Sequence, residues 1–362
     1  MPYELEFMGI NKGAKDADAI CFRYYDKSLN RYIVGIYDGG TSDYGDALKD
    51  HIMKYYFANV TAPVIDVVIC SHSDLDHASG LSIILENFKV SHLVMNRPWL
   101  YLDDLYEKVK DGRITKQSLE KRLREAYSYI DNLEKIANDK GIDIHEAFEG
   151  CTIFDKLTVL SPKKEFYIDL LVESVKTPLA EGAQQKSIIK KAAIAIKSAI
   201  ETWTNELIRE DVTTSAENEM CVVVHGQMDE EAFILTGDAG IRALRHAIDY
   251  SKRNGILLND VKVHQIPHHG GRHNVSPSIL NELVGPKATV NTTPTKIAIV
   301  SVSKNSDHPR KMVVNAYLRR SAKVYEARDK VLRHHNGAMP ERAGWTPAER
   351  LRFSEQVEEW DE

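Results

Sequence analysis

Residues 64–72 read VIDVVICSH. A near-continuous apolar run of this length is what a strand buried on both faces requires, with layers above and below it. The segments around it alternate in type. YELEFMGI, AICFRYYD and YIVGIYDGG have the length and composition of strands. GDALKDHIMKYYFAN spaces Leu48, Ile52 and Tyr55/Tyr56 as a helix does. GLSIILENF reads as a helix and SHLVMN as a strand. Alternation of this kind gives an α/β sheet whose strand-end loops carry the chemistry. The same pattern resumes at residue 218. ENEMCVVVHG and EAFILTGD pair as a hairpin, GIRALRHAIDYS is a helix, and VKVHQIPHHGG runs from strand to loop. SILNELV is a helix, KIAIVSVSKNSDHP a strand with a loop, and MVVNAYLRRS and AKVYEAR a last helix and strand.

Between these blocks, residues 101–215 change character. LEKRLREAYSYIDNLEKIANDKG sets Leu119, Leu123, Ala126, Ile130, Leu133 and Ala137 on one face of a single helix, with Gly141 as its stop. KLTVLSP is a short strand. QQKSIIKKAAIAIKSAIETWTNELIRE is expected to form a second amphipathic helix, striped by Ile189, Ala193, Ile196, Ile200 and Trp203. Its Lys186, Lys190, Lys191 and Lys197 are read as a solvated face. The tail WTPAERLRFSEQVEEWDE is expected to be a terminal helix, with Thr346 as N-cap and Pro347 at the first helical position. The organisation expected is one domain over residues 1–335, with a helical insertion at about 101–215, and a helical tail at 336–362.

The buried strand at 64–70 empties into SHSDLDHASG, an H-x-D-x-D-H pattern. Four titratable groups in six residues call for a shared divalent metal. His72 and Asp74 would reach one ion, Asp76 and His77 a second; two ions about 3.5–4 Å apart can activate a water for a phosphoryl displacement. Three later strands end in the same way. ILTGDAG places Asp238 between glycines, where its carboxylate would bridge both metals; a turn aspartate capping the helix that starts at Ile241 is the alternative. IPHHGG offers His268 and His269, which point apart at a strand end, so that one ligates metal while the other meets substrate or acts as a general acid. SVSKNSDHP offers Lys304 and Asn305 for a phosphate and His308 as a last ligand or proton donor. Asp38, in the YDGG turn, suits a carboxylate that accepts a proton from a ligand histidine. His92, His225, His264, His334 and His335 lack carboxylate company and are read as non-functional.

Taken in order, Asp38, H-x-D-x-D-H, the TGD of Asp238 and a late strand-end histidine resemble the metallo-β-lactamase-fold hydrolases. SHSDLDHASG, ENEMCVVV with ILTGDAG, IPHHGG and IVSVSKNSDHP look most like the ComEC-type competence nuclease domain, over about residues 1–100 and 216–330. The resemblance implies an α/β fold of αββα sandwich type with the metals at one edge, and hydrolysis of DNA phosphodiesters. It assigns Asn218 to an N-x-x-S position where Cys221 replaces the serine. Gly271 and Ser303 are further departures, replacing the usual serine and glycine, and the third-motif histidine of the wider superfamily has no equivalent. A membrane channel of the kind that accompanies this domain in competence proteins is not expected here.

Asp74, Asp76 and Asp238 shift the expected pair of ions toward Mn²⁺ over Zn²⁺, because carboxylates favour harder cations. The net charge of −6 means that a nucleic-acid substrate would have to be met by a local basic patch. No stretch approaches the roughly 18 apolar residues of a membrane helix, no signal peptide is visible, and Cys21, Cys70 and Cys221 fall inside strand-like runs. A cytoplasmic protein is expected. Two other readings stay open: hydrolysis of a small phosphodiester or ester, and an effector subunit whose helical insertion docks a partner such as an ATPase. Self-association is also compatible with the sequence.

Overall fold

The computed structural model describes residues 1–10, 15–109, 115–177 and 198–360. In chain order its strands are β1 (Tyr3–Phe7), β2 (Ala19–Asp26), β3 (Arg31–Gly39), β4 (Val64–Ile69), β5 (Lys89–Val94), β6 (Asp143–His145), β7 (Thr152–Ile153), β8 (Leu157–Ser161), β9 (Ser198–Ile200), β10 (Val223–Met228), β11 (Glu231–Leu235), β12 (Val263–Gln265), β13 (Lys296–Val302), β14 (Ala322–Arg328), β15 (Leu332–Asn336) and β16 (Gln356–Glu358). They build two seven-stranded sheets, ordered β15-β1-β2-β3-β4-β5-β6 and β14-β13-β12-β11-β10-β8-β7. Both sheets are mixed. β3 to β6 run parallel, and so do β11 to β14. Their remaining neighbours pair antiparallel.

The two sheets face each other across Phe7, Phe22, Tyr37, Val67, Ile69, Val224, Phe233 and Val263. Helices cover the outer faces. Leu48 and Ile52 of the helix Ser42–Tyr55 and Leu81 and Ile84 of the helix Leu81–Asn87 pack with Val34, Ile36 and Val68. On the other side Leu244 and Ile248 of the helix Ile241–Arg253 pack with Ile234 and Val300. The result is the αββα sandwich. It explains the apolar run at 64–70: Val67 and Ile69 meet the facing sheet while Val68 and Cys70 meet helices. Asp66 breaks the run without cost because its carboxylate accepts from Arg31 at 2.6 and 3.0 Å and from the Val34 amide at 2.9 Å.

Three segments differ from the sequence expectation. The single helix over 119–141 is two, Lys116–Ala126 and Ser128–Lys140, broken at Tyr127, whose φ of −107° and ψ of 46° leave the helical region. Burying Tyr127 fixes that break; Gly141 does end the second helix, at φ 65°. The region 101–215 is not purely helical, since β6 completes the first sheet and β8 pairs with β10 in the second. Most of the second amphipathic helix, with Lys186, Lys190, Lys191 and Lys197, lies outside the described residues. Its described part is strand β9 followed by irregular chain over 201–210 rather than helix, and Trp203 donates to the Ala288 carbonyl.

The tail is not helical among its described residues. Thr346 and Pro347 sit in irregular chain, and β16 pairs antiparallel with β9. Leu351, Val357 and Trp360 each dock on the second sheet's helical layer from irregular chain or strand rather than from a helix. Tertiary docking and strand pairing override the local helical signal.

Candidate metal centre

The C-terminal ends of β3, β4, β11, β12 and β13 open at one edge of the sandwich, the place where parallel sheets present their functional loops. β2 is antiparallel to β3, with Ala19 opposite Gly39, so its first residues reach the same edge. Asp18, His77, Asp238 and His269 meet there, each offering one ligand atom, all within 4.8 Å of one another and all buried. Asp76 lies beside them, its Oδ2 3.9 Å from His269 Nε2. His72 packs against His77 with ring centroids 4.3 Å apart.

Three imidazoles are held in the same sense. His77 Nδ1 donates to Asp38 Oδ2 at 2.9 Å. His269 Nδ1 donates to the Ser301 carbonyl at 3.0 Å. His72 Nδ1 lies 3.0 Å from Ser71 Oγ, which itself donates to Asp38 Oδ2 at 2.6 Å. In each ring these contacts fix Nδ1 as a donor, which leaves Nε2 as the atom that would be offered to a metal, the arrangement that metal-ligating histidines require. Those three Nε2 atoms, Asp18 Oδ2 and Asp238 Oδ1 are buried without a hydrogen-bond partner. Buried polar atoms are normally satisfied, so unpaired ones on His77, His269, Asp18 and Asp238 at a single place, with that of His72 beside them, fit the donor set of a divalent cation.

The electrostatics agree. Burial opposes charge on His77, but the Asp238 and Asp38 carboxylates outweigh it and hold its pKa well above the usual range. Burial likewise opposes charge on His269, and Asp18, Asp76 and Asp238 push its pKa up to about 10. Burial raises Asp18. It acts in the same sense on Asp238, yet His77 and His268 hold that carboxyl well below its ordinary value. Protons thus occupy the cluster where a cation would replace them, and binding would release them.

The other expected residues fall around this core. Asp38, at φ 58°, accepts from the Ser71 amide at 2.7 Å as well as from Ser71 Oγ and His77. Asp74 Oδ2 is 3.8 Å from His72 Nε2, and its Oδ1 pairs with Lys176. His268 Nδ1 sits 2.5 Å from Asp238 Oδ2 and 3.1 Å from the Asn218 amide nitrogen. Both adjacent histidines hold left-handed backbone, φ 47° and 53°, a strained conformation typical of functional turns. Gly270, at φ 83°, could not carry a side chain, because a Cβ would lie 2.5 Å from Pro309 Cβ. His308 lies outside the four-residue cluster. Its Nδ1 is 3.0 Å from Asp16 Oδ2, and its ring is 6.4 Å from that of His268. Lys304 and Asn305 are exposed in the turn after β13. Glu219 accepts from the Ala243 amide at 2.7 Å, serving the start of the helix Ile241–Arg253, so Asp238 is not needed as its cap. His225 and His264 are buried inside strands, where burial lowers them to about 4 and about 3.

Asp16, Asp18, Ser71 and Lys176 were not legible as site residues. For Asp18 the signal existed: D-x-D in AKDADAI directly precedes an apolar strand. Asp38→Asn is expected to weaken divalent-cation affinity about 10–100-fold, the usual cost of losing an outer partner of a ligand histidine. Asparagine tolerates the left-handed backbone, so equilibrium dialysis against a chelator would read the lost charge alone. Unchanged affinity would show that Asp38 orients nothing.

Residues 35–149 match the family model of the Metallo-beta-lactamase superfamily. The matched span holds Asp38 and the whole His72–His77 motif and ends before Asp238. No curated protein matches the chain.

Proposed function

We propose that this chain, which carries a metallo-beta-lactamase superfamily domain at residues 35–149, is a divalent-metal-dependent hydrolase of phosphodiester bonds, with DNA as its substrate. The observation that carries the metal dependence is the convergence of four buried residues, His77, His269, Asp18 and Asp238, each with an unpartnered polar atom, with His72 beside them. DNA is favoured by the four motifs in their order and by the exposed Lys304 and Asn305 beside His308.

Asp18, His77, Asp238 and His269 would hold a cation, with Asp76 adjacent, and His72 and Asp74 offer a second place. A divalent cation bound there supplies Lewis acidity, polarising the phosphoryl oxygen and acidifying water. Counting Asp18, the site has four carboxylates against three imidazoles, which strengthens the preference for Mn²⁺ over Zn²⁺. Asp38 fixes His77, directly, and His72, through Ser71. Asp16 holds His308 by Nδ1 and leaves Nε2 as the atom that delivers a proton to the leaving oxygen. His268, tied to Asp238, faces substrate rather than metal in this reading.

Protein stripped of metal with a chelator is expected to lose cleavage of labelled single- and double-stranded DNA and to regain it with Mn²⁺ or Zn²⁺, but not with Ca²⁺. A parallel panel of RNA, bis-p-nitrophenyl phosphate and a lactone separates nucleic acid from small esters. Activity on the lactone alone would sink the phosphodiester assignment, and full recovery in Ca²⁺ would sink the metal chemistry.

A further inference from the structure

We propose that the Lys176 ammonium stands in the place of a second divalent cation, so that the centre holds one ion firmly and a second must displace the lysine from Asp74. This rests on the metal-dependent reading above and concerns only how many ions the site keeps.

The two halves of the H-x-D-x-D-H motif are not equivalent. His77 joins Asp18, Asp238 and His269 in a compact group. His72 and Asp74 do not join it; their nearest atoms are 3.8 Å apart and, among the described residues, find no third ligand group within the same reach. Asp74 Oδ1 is paired with Lys176 Nζ. Asp238 is divided too. Its Oδ1 faces His77 Nε2 at 3.2 Å and is otherwise unpartnered, whereas Oδ2 is engaged by His268 at 2.5 Å. Oδ2, the oxygen of Asp238 that does not face His77 and His269, is therefore occupied. Two of the carboxylate oxygens a second ion needs are taken, and a cation already neutralises one of them.

Lys176 is placed there by structure. Its amide donates to Ser174 Oγ at 3.1 Å, Ser174 bonds the buried Glu217, and Tyr127 Oη lies 2.8 Å from Thr177 Oγ1. The Tyr127 that breaks the helical layer thus helps to hold the segment that delivers the ammonium. The side chains of Lys176 and Asp74 are 38% and 30% exposed, so the lysine can be exchanged for a neutral residue without emptying the core.

The test is metal content. Chelator-stripped full-length protein is loaded with MnCl₂, desalted, and assayed for manganese by mass spectrometry and for Mn²⁺ coupling by electron paramagnetic resonance. Wild type is expected to keep one ion per chain with the signal of an isolated Mn²⁺. Lys176→Met and Lys176→Gln are expected to keep two, with an exchange-coupled signal, and Asp74→Asn to keep one. Two ions firmly held by wild type, or one ion in both lysine variants, would overturn the inference and leave the metal-dependent hydrolase standing. Wild type that keeps no metal would overturn both.

Discussion

Asp238→Asn is expected to remove most hydrolytic activity, by on the order of a hundred- to a thousandfold, the scale reached when one preorganised electrostatic group is deleted from an active site. The substitution keeps the side chain's shape and takes away only its charge. That charge faces His77 Nε2 at 3.2 Å and His269 Nε2 at 4.0 Å, and it accepts from His268 at 2.5 Å. Asp238 thus touches both the metal cluster and His268, so ligand set and substrate face fail together. The fold should survive. The turn that carries Asp238 is set by Gly237, at φ 50° and packed so closely that a Cβ would sit 2.9 Å from Ser71 Oγ. The helix that follows is capped by Glu219. Circular dichroism should therefore match wild type while manganese content and DNA cleavage fall. A variant that keeps near-wild-type turnover with a full complement of metal would refute the proposed centre.

Why was most of this centre readable from the chain, and Asp18 not? Asp38 lies at, and His72–His77, Asp238 and His268–His269 follow, the C-terminal ends of strands that run parallel, and parallel strands bring those ends to one edge. The rule "apolar strand, then polar cluster" finds them without any knowledge of topology. Asp18 obeys the mirror rule. Its strand runs antiparallel to β3, so its start lies at the functional edge, and only the pairing of Ala19 with Gly39 reveals that. Lys176 is beyond any local rule, since its partner Asp74 is 102 residues away. The layers followed from alternation and from the doubly buried strand, because periodicity reports burial directly. The tail failed for the opposite reason. Thr346-Pro347 is a sound helix start in isolation, but the chain there gains more by docking Leu351 and Val357 and by pairing β16 with β9.

That same tail carries a stability prediction. β1 alternates: Tyr3, Leu5 and Phe7 face the partner sheet, and Glu4 and Glu6 lie fully buried on the other side. Arg342 reaches both, at 2.9 Å to Glu4 and at 2.5 and 2.9 Å to Glu6, and packs its guanidinium 4.3 Å over Tyr55. Arg342→Met keeps the bulk and removes the cation. Breaking a buried pair leaves charge in a low-dielectric site, which costs about 3–5 kcal/mol. The low end is expected here because Arg23 and Arg333 still serve Glu4 and His51 still serves Glu6. The pH dependence identifies the cause. Burial raises the Glu6 carboxyl, but His51 and Arg342 outweigh it and hold its pKa below the ordinary 4.5. A depressed carboxyl stabilises the fold above its unfolded pKa and loses that contribution as pH falls through the folded value. The deficit of Arg342→Met should be full at pH 7 and should shrink as acid protonates Glu6, as followed by unfolding midpoints from pH 7 downward. A deficit at pH 7 of no more than about 1 kcal/mol, the worth of an exposed ion pair, or one that is constant with pH, would show that Arg342 anchors the tail by packing rather than by charge.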